Sequence, residues 1–210
     1  KGLSNFELKQ YDKAAELLEN RSKLKELSDS ELYILGYCHI QVQDYSQAVY
    51  RLSRIADHNN LLYQQSQYTL ANCFIKIDKK ENARAAYYNA GKYEHDKKIR
   101  EESQFLYAKL SAEVLPSQGA SITNLQNFIN NYPDSKYGDE AKNILSSLLL
   151  NTKQYAKALV ILEGIKVKND QIELAIQKCA YCRAEELYKI NDLNCPKNNN
   201  DISCSIYLFQ

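Results

Sequence analysis

The sequence predicts an all-α fold, an α-solenoid of stacked antiparallel helix pairs. Three observations predict it. The 210 residues hold only three prolines and six glycines, too few breakers for a loop-rich or many-stranded chain. Small residues recur along the whole chain at spacings of 34 to 38, the period of helical repeat arrays. Large apolar residues stand four and seven positions beyond alternate small residues, on one face of a helix. The balance of 27 Lys plus Arg against 26 Asp plus Glu, a formal charge of +1, excludes a broadly basic nucleic-acid binder and a broadly acidic tail. Apolar content of 44% and charged content of 25% are those of an ordinary globular chain. No apolar stretch approaches the roughly 18 residues that a membrane crossing needs.

The copies can be taken in order. A first small residue falls at Gly2, Gly36, Ala71, Ala108, Ser146 and Ala184, and a second at Ala14, Ala48, Ala83, Ser121, Ala158 and Ser205. The approximate copies are 1–28, 29–62, 63–98, 99–135, 136–170 and 171–210, together one array. The first ends in NFELKQYDKAAELLE, with Ala14 and Leu18 in register and Arg21 as a misfit. The second, LGYCHIQVQDYSQAVYRLSRI, is the clearest: Leu35 and Gly36, then Ala48, Leu52 and Ile55. The third, YTLANCFIKIDKKENARAAYYNA, repeats the pattern with Leu70, Ala71, Ala83, Tyr87 and Ala90. The fourth carries Pro116, Ser117, Gln118 and Gly119 at a turn one residue longer, then Ser121, Leu125 and Phe128. The fifth has Leu145, Ser146, Ala158, Leu162 and Ile165. In the sixth, RAEELYKIND is parted from ISCSIYLFQ by LNCPKNNND. Pro196 and three successive Asn mark Leu193 to Asp201 as an extended loop between two helices, the second placing Ser205 and Phe209 in register. Tyr11, Tyr45 and Tyr155 stand three residues before the second small site.

The physical reason for the small residues is excluded volume. Antiparallel helices approach to about 8–10 Å only where side chains permit it. A Gly, Ala or Ser at the crossing permits it, and a larger residue overpacks by about 1–3 kcal/mol. The separation of 12 between first and second sites in most copies fits the rest of one helix, a short turn and the start of the next. One pair cannot bury both of its faces, so neighbours stack. The predicted core is Leu35, Gly36, Ala48, Leu52, Ile55, Leu70, Ala71, Ala83, Leu125, Phe128, Leu145, Ala158, Leu162 and Ile165.

These copies resemble the tetratricopeptide repeat over nearly the whole chain. The resemblance implies a right-handed superhelix whose first helices line a concave groove that binds a peptide or partner protein. Carried onto this sequence, the groove positions are Tyr33, Tyr37, Tyr68, Asn72, Lys76, Phe105, Lys109, Asn143, Ser147, Tyr181, Glu185 and Tyr188. Tyrosine suits such a surface, since it offers a large rigid contact with a hydroxyl handle. The competing reading is that these aromatics pack between neighbouring helices. The clamp that some tetratricopeptide domains use for chaperone tails needs a leading Lys where Tyr33 stands, and only Asn72 fits, which disfavours that role.

A narrower resemblance rests on NFINNYPDSKYGDEAKNIL, with Phe128, Tyr132, Pro133, Ser135 and Ala141 in order. It is similar to longer tetratricopeptide variants of Gram-negative envelope proteins, of the Tol-Pal-associated and outer-membrane assembly lipoprotein type. It implies a periplasmic or outer-membrane-associated protein, with the cytoplasm as the alternative. Locally, Pro133 ends one helix and Asp134 or Ser135 caps the next. The chain opens and stops inside helical patterns, and is read as a piece of a longer protein.

No G-x-S-x-G, phosphate-cradling loop, H-E-x-x-H or paired catalytic carboxylates occur, so an enzyme is not expected. The three histidines, His39, His58 and His95, stand in no metal-ligand spacing. Cys38 and Cys73 each lie two residues after the first small site, where other copies carry Leu110 and Leu148. That slot reads as buried and apolar, and free Cys behaves as a small hydrophobe. Cys179, Cys182, Cys195 and Cys204 leave a zinc site or a disulfide as alternatives, Cys195–Cys204 being the pair that flanks the loop. No cofactor, metal, nucleic acid or membrane span is expected. The expected function is a non-catalytic scaffold for a protein or peptide partner, within an envelope complex. The alternative is the sensor or regulatory region of a larger signalling or effector protein.

Overall fold

The computed structural model describes the backbone of residues 6–115 and 119–194, and side chains as far as Lys189. The described residues are helix and turn, with no strand. The helices are α1 (Tyr11–Ser22), α2 (Asp29–Gln41), α3 (Tyr45–Leu52), α4 (Leu61–Lys76), α5 (Lys80–Lys92), α6 (Lys97–Val114), α7 (Gly119–Asn131), α8 (Gly138–Asn151), α9 (Tyr155–Glu163) and α10 (Asp170–Asn194). The chain divides into two compact units, with the boundary between Asn124 and Leu125 inside α7.

In the first unit, helices next to each other in sequence pack side by side, α1 on α2 and so on to α5 on α6. The short links make these neighbours antiparallel hairpins. In the second unit, α8 packs on α9 and on α10, and α9 packs on α10. Within each unit the architecture is the expected one, all-α and built of stacked helix pairs.

Two devices start the helices, side-chain caps and left-handed residues. Helices α2, α4, α6 and α10 start on side-chain caps. Ser28 Oγ accepts from the Glu31 N–H while Glu31 accepts from the Ser28 N–H, a reciprocal box. Asn60 accepts from the Tyr63 N–H, Asp96 from the Lys98 and Ile99 N–H groups, and Asn169 from the Ile172 N–H. Helices α1, α5 and α9 have no such cap. They follow a left-handed residue, Lys9 (φ 57°), Asp78 (φ 56°) and Lys153 (φ 55°), as do α3, after Gln43 (φ 61°) and capped by Asp44 at the Gln47 N–H, and α4, after Asn59 (φ 48°). In two copies the preceding helix closes alike, with Asp44 N–H donating to His39 O at 2.8 Å and Lys79 N–H to Phe74 O at 2.9 Å, the six-to-one bond of a Schellman turn. One turn geometry recurring at the repeat period is the backbone counterpart of the small-residue ladder.

The ladder itself is buried. Ala14, Ala48, Ala83 and Ala158 are 0% exposed and Ser121 1%. Gly36, Ala71, Ala108 and Ser146 are buried as well. A Cβ on Gly36 would lie 2.7 Å from Leu52 Cγ, so α2 and α3 meet through the missing side chain. Every residue the sequence assigned to the core is buried. Cys38 and Cys73 are buried free thiols, and Leu110 and Leu148 fill the same slot in later copies. Burial pushes the Cys38 and Cys73 thiols up to about 11, because the thiolate loses its hydration.

Polar groups also cross between helices. Gln64 on α4 is 0% exposed. The two hydrogens on its Nε2 are shared among the carbonyls of Ala90, Tyr93 and Asp96, and its Oε1 accepts from the Asp96 N–H at 2.8 Å. One side chain thus satisfies the end of α5, the link after it and the start of α6. Glu19 on α1 receives His39 of α2 at 3.1 Å and Arg51 of α3 at 2.5 Å.

Four local expectations are corrected or bounded. Neither Asp134 nor Ser135 caps α8. Two tight turns, Ser135 N–H to Tyr132 O and Gly138 N–H to Ser135 O, delay the helix to Gly138, and the Ser135 hydroxyl is used by the Tyr137 N–H. Helix α10 runs on through Leu193 and Asn194, because nothing before Pro196 breaks its backbone pattern. The rest of the expected loop, with Cys195, Cys204, Ser205 and Phe209, lies outside the described residues, as do Gly2 and the turn at 116–118. Ala184, the sixth first-site residue, is exposed, whereas its counterparts in α2, α4, α6 and α8 are covered.

Candidate partner-binding surface

In the first unit α2 touches α4 and α4 touches α6, while among the described residues α1, α3 and α5 do not touch one another. The first helices of successive hairpins therefore form the closed layer of this stack. Side chains three before and one after each first small residue sit at the margin of that layer. Tyr33 and Tyr68 are half-buried and pack against the core of α2 to α6. Tyr37 joins a cluster of three rings, 5.6 Å from Phe6 and 6.2 Å from Tyr11. Tyr68 meets Tyr87 at 6.1 Å, and the Tyr87 hydroxyl donates to Asn72 Oδ1 at 2.6 Å. Burial drives the Tyr87 hydroxyl far above its ordinary value, so it remains a donor and holds the Asn72 amide in one orientation.

Lys76 is exposed at the end of α4, and Lys109 is half-buried on α6. Phe105 shares the register of Tyr33 and Tyr68 but is 2% exposed. It lies in the interior and offers no surface. The difference is the hydroxyl: a Tyr at a core margin keeps its oxygen in water, and a Phe has no oxygen to keep there.

In the second unit, Asn143 and Ser147 are exposed on α8. The Ser147 hydroxyl donates to the Asn143 carbonyl, and Asn143 Oδ1 accepts from Asn169. Tyr181 and Tyr188 on α10 are 66% and 63% exposed. Glu185 is exposed beside Tyr181, and its carboxylate accepts the Tyr181 hydroxyl, which raises that hydroxyl above its ordinary range. With Leu174, 42% exposed, they mark a bare stripe of spacing seven along α10.

Two contributors escape a reading by register. Phe6 and Tyr11 build the aromatic cluster around Tyr37, although the sequence places Tyr11 only as a residue three before the second small site. An aromatic residue opening a second helix in three copies was the available signal. The histidines sit in structural contacts: His39 on Glu19, His58 on Asp29 at 3.2 Å, and His95 on Asn59 Oδ1 at 3.2 Å. Among the described residues no group of three or more His, Cys, Asp and Glu is placed to hold a metal ion. No described helix is long and apolar enough to cross a membrane.

No family model matches the chain, and no curated protein matches it. Two similar solved structures are both described as a Podosopora anserina putative kinesin light chain with nearly identical TPR-like repeats, one of them a variant with a single substitution. They are 15% and 16% identical, with a TM-score of 0.47 in each case, and the match covers 84% of this chain and 92% of theirs. The repeat reading therefore rests on this chain's own helices: the same turn, the same small contacts and the same buried slots, copy after copy.

Proposed function

We propose that the chain is a tetratricopeptide-type scaffold that binds a peptide or partner protein on its first-helix face, without catalysis. The observation that carries this reading is the closed layer of α2, α4 and α6, with Tyr33, Tyr37, Tyr68, Asn72, Lys76 and Lys109 at its margin. Rings half-fixed by the core lose little freedom on binding and still present a face and a hydroxyl. The test is a Tyr33→Ala, Lys76→Ala double variant, which leaves the Tyr37 and Tyr68 ring contacts in place. A partner recovered by the native chain should lose affinity about tenfold or more, as at interface hot spots, with the melting temperature held within a few degrees. Equal recovery by both proteins refutes the surface.

Location belongs to the same proposal. The NFINNYPDSKYGDEAKNIL segment supports the Gram-negative envelope and an envelope complex. The free thiols Cys38, Cys73, Cys179 and Cys182 favour the alternative, a reducing cytoplasm and a regulatory region of a larger protein. Cell fractionation decides between them.

A further inference from the structure

Four residues before each first small site the copies carry Leu32, Gln67, Gln104, Lys142 and Ala180. Lys142 is the charged one, and its side chain is only 6% exposed. The anion described against it is Asp139, 3.2 Å away and 76% exposed. Asp139 Oδ1 also accepts from Asn169 Nδ2 at 3.3 Å. A carboxylate so open to water and so shared compensates a buried ammonium poorly. Beside Lys142 lies a small cleft of about 70 Å³. Its walls are Ile129 and Asn130 at the end of α7, Pro133, Lys142, and Lys166 and Val167 before α10. Two of the six lining residues are cations and none is an acid. Confined positive charge beside apolar walls focuses field on any anion that enters.

We propose that this cleft binds a carboxylate on a short apolar stem, with Lys142 as the buried counter-charge and Lys166 closing over it. The volume admits a carboxylate and its adjoining methylenes, not a sugar or a nucleotide. Ile129, Pro133 and Val167 would cover the stem. The chemistry is shared by an Asp or Glu side chain of a peptide and by a free small carboxylate. The site is independent of the first-helix tyrosines, so either reading can fail alone.

The test is a titration of the isotope-labelled 210-residue chain, followed by amide shifts at 129–133, 142 and 166–167. The probes are acetate, a blocked alanine pentapeptide with a central glutamate, and the same peptide with glutamine. The glutamate peptide should shift these amides and the glutamine peptide should not. Acetate acting alone on the same amides assigns the site to free carboxylates, and a response to the peptide without acetate assigns it to a side chain. Lys142→Met should abolish the response. Lys166→Gln, at an exposed position that leaves the core intact, should weaken binding about tenfold, the worth of one charge-assisted hydrogen bond. Equal shifts with the glutamine peptide, silence to both carboxylates, or a native response in Lys166→Gln overturns the proposal.

Discussion

Replacing Gly36 with alanine sets two effects against each other at one atom. In a helix interior, alanine is favoured over glycine by about 1 kcal/mol, because glycine has more backbone freedom to lose. Here the new Cβ would lie 2.7 Å from Leu52 Cγ and 2.9 Å from Leu52 Cδ2, against a comfortable carbon separation of about 3.5–4.0 Å. Leu52 is 0% exposed, and the clashing atom is its branch point, so no terminal rotation relieves the contact. Either α3 moves away or Leu52 leaves its rotamer, at about 1–3 kcal/mol. The expected net effect is a loss of about 1 kcal/mol. In a Leu52→Ala background, itself costing about 2–5 kcal/mol, the obstructing atoms are gone and only the helix gain remains. Gly36→Ala should then stabilise by about 1 kcal/mol, so the pair couples by about 2 kcal/mol. Urea unfolding of the four proteins, with the slope held constant, reads the cycle. If unfolding is stepwise, as repeat arrays allow, amide exchange in α2 and α3 reads the same quantity locally. Stabilisation by Gly36→Ala in both backgrounds alike refutes the account of why the first sites are small.

Four further outcomes follow from the same geometry. Gln64→Leu should cost about 3 kcal/mol, near 1 kcal/mol for each of the three hydrogen bonds that its two N–H groups and its Oε1 make. Gln64→Glu should lose stability as pH rises from about 4.3, because a carboxylate facing three carbonyls is favoured only when protonated. Gln43→Gly, Asp78→Gly and Lys153→Gly should each raise stability by about 0.5–1 kcal/mol, since glycine accepts the left-handed conformation without a Cβ penalty; unchanged urea midpoints would exclude this. The Tyr93 hydroxyl holds the Asp57 carboxyl below its ordinary range, and the Ser28 N–H does the same for Glu31. Their contribution is therefore complete above about pH 4 and is lost as pH falls through the depressed values. Tyr93→Phe should flatten that acid limb, and Ser28→Ala should cost about 1 kcal/mol at neutral pH. Native alkylation at pH 8 should spare Cys38 and Cys73, held near 11, and label the half-exposed Cys182 ahead of the buried Cys179.

The small-residue ladder was legible because excluded volume leaves a mark at fixed spacing. Ala48 and Ala158 sit where they must, and Cys38 betrays its burial by standing where Leu110 and Leu148 stand. The left-handed turns were not legible. Lys9, Gln43, Asp78 and Lys153 share no chemistry, and none is the glycine that ordinarily marks such a turn. Gln64 was hidden for a different reason: in the run LLYQQSQY it looks like solvated surface, and only three-dimensional placement shows the backbone groups it satisfies. The tyrosine surface was half legible. Register located Tyr33, Tyr37 and Tyr68 but could not separate them from Phe105, because a hydroxyl at a core margin decides direction and not position. Lys142 gave no sign at all, since a lysine on a helix is ordinarily a solvated one.

Gln64 has a mechanical consequence. Apolar contacts alone would let a stack of this kind open one hairpin at a time. The joint at α4, α5 and α6 is stitched by the Gln64 amide, with the Tyr87–Asn72 bond beside it, so these three helices resist parting singly. Tension applied to the ends of the first unit should therefore strip α4, α5 and α6 as a block and not one at a time.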